Sequence, residues 1–155
     1  MIYSVIFASL VLGAVVCAIQ ICRADFRRRI IPDAWLFPLM LIGLVITAFW
    51  GWPVSITDGA VGATIGYAMT AGVGALFTWV RRHHHDKYPP VGMGDIKLMG
   101  VGGLWLGTSG LAMATIIACA AGAIWAWRRN THYIPFAPFF IGGAIIALIG
   151  MGFLL

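Results

Sequence analysis

Charged residues divide this chain into long uncharged runs with the lengths of bilayer-crossing helices. Residues 1–22, 34–57, 59–80 and 133–155 contain no Asp, Glu, Lys or Arg, and 98–127 is a fifth such run. About 20 apolar residues cross a bilayer, so the first four each predict one span. The fifth run is different. Its 30 residues would make one helix of roughly 45 Å, against a hydrocarbon core of about 30 Å. The small and polar stretch LGTSG at 106–110 offers a turn that would divide it into two shorter helices.

Basic residues decide between one helix and two. Arg23, Arg27, Arg28 and Arg29 follow the first run, Arg81, Arg82, Lys87 and Lys97 follow the third, and Arg128 and Arg129 follow the fifth. With a turn near 107–110 all ten fall on one side of the membrane. A single span over 98–127 would put Arg128 and Arg129 on the other. Positive charge is kept inside, so the pattern predicts six helices with both termini outside the cytoplasm. The expected fold class is an all-α, polytopic membrane protein, with residues 1–155 as one domain.

Composition agrees. The chain is 61% hydrophobic and 10% charged, whereas a soluble domain needs about a quarter charged residues. Its solvent is therefore lipid. The net charge of +5 follows from the one-sided Lys and Arg and suits anionic lipid, so it gives no reason to invoke nucleic acid. Residues 1–22 lack a basic n-region, which predicts a retained first helix and no cleaved signal peptide. Cys17, Cys22 and Cys119 form no CxxC pair, and are expected as small apolar residues inside helices. No metal-ligand constellation and no cofactor motif is present, so none is expected.

The two-helix solution has a chemical consequence. The fourth helix reaches a useful length only if it begins near Met93. That puts Asp95 in its first turn, at the cytoplasmic membrane surface, with Gly92 and Gly94 permitting irregular backbone and close approach. An ionisable residue there is a functional candidate. It could cap a helix, bind an ion or pair with Lys97. Of the other acids, Asp58 falls on the opposite side and Asp86 lies in the polar loop RRHHHDKYPP. Asp33 follows Pro32 at a helix start, where an acid caps free backbone N–H groups. Asp25 ends the first helix, where the dipole makes an acid unfavourable. Arg23, Arg28 or Arg29 could compensate it there. It is otherwise the better partner for Asp95.

Two carboxylates across a watered cavity can share one proton. The ionised one would activate a water, and the other would protonate a peptide carbonyl oxygen. Such a dyad needs no metal. The same two acids could instead move protons or ions, which would make the protein a transporter or proton-conducting protein.

Three segments resemble one family. GMGDIKLMG at 92–100 resembles the GxGD signature of the type IV prepilin peptidases, which are membrane aspartic proteases. ADFRRRIIPDAW resembles their first-aspartate region, and IPFAPFFIGGA at 134–144 resembles the Pro-Phe-x-Pro-Phe segment opening their last helix. The matches occur in family order and span essentially the whole chain. The resemblance implies cleavage of the leader of a prepilin, pseudopilin or Flp-type pilin at the cytoplasmic face of the inner membrane. It implies Asp25 and Asp95 as the catalytic pair and gives Asp33 no catalytic position. Many bacterial members carry an insertion near the N-terminus, often with CxxC pairs, and also methylate the new N-terminus. The first loop here has no cysteine, so the sequence resembles the short peptidase-only type and no methyltransferase activity is expected. The substrate's apolar helix is expected to be captured by packing against small-residue faces. A pilus-assembly subunit without catalysis is the alternative that the same resemblance leaves open.

Remaining features receive structural readings. His83, His84 and His85 are adjacent and cannot easily converge on one tetrahedral metal. They are expected in a solvated loop, 81–91, which could form a flap over the site. Lys97 is expected to support the site by pairing with an acid or a lipid phosphate. His132, Tyr133 and the tryptophans Trp50, Trp52, Trp79, Trp125 and Trp127 suit interfacial anchoring. Gly62, Gly66, Gly72 and Gly74 suit helix packing.

Overall fold

The computed structural model describes residues 1–80, 91–130 and 134–154. All regular structure among them is helical: α1 (Ile2–Arg28), α2 (Asp33–Trp50), α3 (Ile56–Val80), α4 (Met93–Arg129) and α5 (Phe136–Leu154). The first four are long and apolar enough to cross a membrane, and α5 is apolar as well. Phe49, Leu76, Ile116 and many other large apolar side chains face outward. Lipid is the solvent in which such a surface is stable.

α1 outruns its apolar stretch and carries the helix through RADFRR. Arg27 and Arg28 occupy its last turn, where cations complement the helix dipole. Twenty-seven residues rise about 40 Å, so its last turns project beyond a core of about 30 Å. Arg29 then adopts the left-handed conformation, φ 54°, and its N–H closes on the Asp25 carbonyl oxygen at 2.9 Å.

α4 is not a straight rod. Gly107 has φ 64° and ψ −168°, a region essentially restricted to glycine. Thr115 Oγ1 lies 4.0 Å from Met99 Sδ, although the two residues are 16 apart in sequence. A straight helix would hold them about 24 Å apart, so the halves of α4 lie face to face. The turn falls inside the expected LGTSG stretch. Asp58, assigned no role from the sequence, secures it. Its Oδ1 accepts from the Thr108 hydroxyl at 3.2 Å and from the Thr108 N–H at 3.4 Å.

Small residues set the packing. A Cβ on Gly62 would stand 2.5 Å from the Gly103 carbonyl oxygen, and one on Gly66 would stand 2.5 Å from that of Met99. α3 and α4 therefore touch backbone to backbone, as expected of Gly62 and Gly66. Gly72 does not take the expected packing role, since nothing lies within 4 Å of its Cβ position, and Gly74 makes only ordinary contact with Val91 at 3.6 Å. Both sit toward the end of α3 beyond its close approach to α4. Trp105 locks α2 to α4: its Nε1 donates to the Leu39 carbonyl oxygen at 3.1 Å, and its indole fills the space at Gly43.

Candidate active site

Asp25 and Asp95 are 70 residues apart in sequence, and the fold brings them to the same end of the bundle, where Ile31 of the loop after Asp25 packs on Gly94. They are near enough for the charge of one to bear on the other. Both belong to helix ends, and Asp25 is held by the N-terminal amide of a helix.

Asp25 sits in the last turns of α1 with 5% of its surface exposed. Its Oδ2 accepts the backbone N–H of Ala137 at 2.9 Å. Ala137 is the second residue of α5 and is fully buried. α5 starts after Pro135, which has no side-chain acceptor to cap it, and Asp25 supplies one from α1. Arg29 adds a nearby positive charge. It is one of the compensating arginines that the sequence pattern offers.

Asp95 is half-buried in the first turn of α4. Gly92 is the N-cap and offers no side chain. The Asp95 carboxylate turns back toward Gly92, in the direction that the third residue of a capping box takes. A Cβ on Gly92 would lie 3.1 Å from Asp95 Oδ2. Gly94 has a separate reason to be small: a Cβ there would come within 2.8 Å of Ile31 Cβ. The loop that follows Asp25 thus lies directly on the turn that carries Asp95.

Asp33 departs from its expected capping role. It is the first residue of α2, with Pro32 as N-cap, and makes no side-chain cap. Lys97 draws its carboxylate away, with Nζ at 2.8 and 2.7 Å from the two oxygens. Between the two partners expected for Lys97, the structure therefore supplies the acid. This pair links the start of α4 to the start of α2.

The described basic residues gather at the same end: Arg23, Arg27, Arg28 and Arg29 close α1, Lys97 opens α4, and Arg128 and Arg129 close it after the Gly107 turn. Among the described residues, no three His, Cys, Asp or Glu side chains converge as a metal site. Cys17 is buried, Cys22 half-buried and Cys119 exposed, all within helices. His83, His84, His85, Asp86, His132, Tyr133 and the 81–90 portion of the expected flap lie outside the described residues.

The Ala137 amide, Ile31 and Trp105 had no role in the sequence reading. A backbone N–H has no residue identity to read. Its signal was negative: HYIPF opens a helix with no Ser, Thr, Asp or Asn to cap it.

Residues 10–127 match the type IV leader peptidase family. The chain is 31% identical over 158 residues to a prepilin leader peptidase/N-methyltransferase of Burkholderia pseudomallei, covering 92% of this chain and 49% of that protein. It is 32% identical over 130 residues to the protein of the same name in Escherichia coli, covering 80% of this chain and 55% of the relative. A Pectobacterium carotovorum protein of that name is 29% identical over 136 residues, covering 83% of this chain and 47% of the relative. The chain spans about half the length of these curated relatives. No solved structure matches it. With the match running from the first turns of α1 to the last turn of α4 and taking in both acids, the chain belongs to the type IV leader peptidase family.

Proposed function

We propose that this protein is a membrane aspartic endopeptidase that removes the leader of a type IV prepilin, pseudopilin or Flp-type pilin, with Asp25 and Asp95 as its catalytic dyad. The observation that carries the reading is that these two acids, one buried and one half-buried, lie near one another at one end of an apolar bundle. Buried carboxylates that repel one another are costly and cluster at functional sites.

The chemistry follows from the pair. Close carboxylates do not both ionise readily, so together they hold one proton. A water between them loses a proton to the ionised member and attacks the scissile carbonyl carbon. The protonated member gives its proton to the carbonyl oxygen as the tetrahedral intermediate forms. Breakdown returns a proton to the leaving amine. Asp25 is held for this work by the Ala137 amide. Gly92 leaves room for the Asp95 carboxylate, Gly94 keeps the Asp95 turn close to the α1–α2 loop, and Lys97 supports that turn through Asp33.

We further read the two halves of α4 as separate spans, giving six crossings. Both termini then lie outside the cytoplasm and the acids at its face. The one-sided basic residues support this orientation. Reporter fusions after residue 108 and at the C-terminus should both read as external. A cytoplasmic signal at either removes the six-span topology.

The deciding experiment reconstitutes the chain in liposomes with a purified prepilin and follows leader removal by gel shift and mass spectrometry. Cleavage that is lost in Asp25→Asn and in Asp95→Asn supports the dyad. Proton or ion flux without any cleavage would replace it with the transport reading. Pilus assembly that survives both substitutions would favour a non-catalytic subunit.

A further inference from the structure

A cleft of about 530 Å³ separates α1 from α5, over a floor formed by the first half of α4. α1 lines it from Val11 to Arg23, a rise of about 18 Å and more than half of a hydrocarbon core of about 30 Å. Arg23, at one end, is the only charged residue among the described residues that line it. Cys22, beside it, is near enough to Asp25 for the carboxylate charge to act on it. The Asp25–Ala137 hydrogen bond ties α1 to α5 at this same end. The cleft therefore runs along the apolar part of the bundle and stops two residues short of Asp25.

We propose that this cleft is the lateral docking site for the substrate's apolar helix, which enters from the lipid and seats between α1 and α5. The inference rests on the peptidase reading and adds where the substrate binds. Three features select a helix as the occupant. The walls are apolar over several helical turns. Ala14, Ala18, Gly142 and Ala144 leave room for a neighbouring backbone to approach closely, which is how helices associate in lipid. Arg23 ends the apolar wall, so an apolar helix must end there too and its chain must continue as a polar segment. The junction between the two is then the peptide offered to Asp25. A larger groove, about 800 Å³ between α2, α3 and α4, ends instead at the Asp33–Lys97 ion pair.

The test traps a purified prepilin on the full chain in liposomes. The enzyme carries Asp95→Asn to hold the substrate uncut, with Cys17→Ser and Cys119→Ser so that Cys22 is its one thiol. A cysteine is moved along the prepilin's apolar helix. Disulfide formation with Cys22 is expected for positions in the helix's first two turns. A second enzyme, with Cys22→Ser and Ala68→Cys in the other groove, should form none. In the active enzyme, Ala18→Trp should raise KM at least tenfold with kcat within about twofold, while Ala68→Trp leaves KM unmoved. Ile19→Trp, at an exposed position in the same wall, replaces Ala18→Trp if that variant does not fold. Three outcomes would overturn the docking site: capture at residue 68 and not at Cys22, Cys22–Cys22 dimers without a substrate adduct, or an unchanged KM, which leaves the cleft to lipid. Absence of cleavage by the unsubstituted enzyme sinks the peptidase reading instead, and cross-linking still decides the cleft.

Discussion

The carboxylate of Asp25 accepts the backbone N–H of Ala137 at 2.9 Å, in a buried contact between α1 and α5. One side chain is thereby both a proposed catalytic acid and the cap of another helix.

These roles separate by substitution. Asp25→Asn keeps an oxygen that can accept from Ala137, so the fold should survive while cleavage is lost. Asp25→Ala leaves a buried N–H without a partner, at a cost of about 1–3 kcal/mol. Thermal unfolding in detergent should rank Asp25→Ala well below Asp25→Asn, with both inactive. Asp95→Asn should also be inactive. The double Asp25→Asn, Asp95→Asn variant should be no slower than either single, because the acids act as a unit.

Gly94 sets the distance between the Asp25 loop and the Asp95 turn. Gly94→Ala puts a Cβ 2.8 Å from Ile31 Cβ, and one of the two segments must move. A displacement of that order should cost about tenfold or more in kcat. Ile31→Ala introduced with it removes the colliding branch and should recover part of the rate. Equal kcat in Gly94→Ala and the unsubstituted enzyme would refute this role.

The Asp33–Lys97 pair should matter little. Its side chains are 68% and 44% exposed, and exposed ion pairs contribute about 0–1 kcal/mol. Asp33→Asn and Lys97→Ala should each retain activity within about fivefold. Exchanging the two residues should restore what single charge reversals lose. A dead Asp33→Asn alongside an active Asp25→Asn would overturn the assignment of the dyad.

Gly107 and Asp58 should affect folding and not chemistry. Gly107→Ala forces a side chain into a glycine-only conformation, at about 1–3 kcal/mol, and its Cβ would also meet the Asp58 carboxylate. Asp58→Ala removes both Thr108 contacts, worth about 0.5–1.5 kcal/mol each. Denaturant titration should show both losses, with kcat per folded molecule unchanged.

The sequence made the α4 turn legible because charge asymmetry excluded a single span over 98–127. The first-turn position of Asp95 followed from helix length. The end of α1 was less visible. Its apolar run stops at Cys22, and basic residues that favour a helix C-terminus carry it six residues further. Asp33 misled because a local rule, an acid at a helix start, was overridden by Lys97 from a distant helix. Trp105 and Ile31 act through tertiary contacts with α2 and α4, for which no local pattern exists.

The cap on α5 also orders the making of the enzyme. Asp58 precedes Thr108 along the chain, so the partner for the α4 turn is already synthesised when that turn emerges. Asp25 is made early too, but the amide that fixes it belongs to α5, more than a hundred residues later. Until α5 inserts, Asp25 has no such anchor and the cleft beside it has only one wall. On the proposed dyad, a partly synthesised chain would hold both acids without the anchor that sets Asp25, and cleavage is expected only once α5 docks.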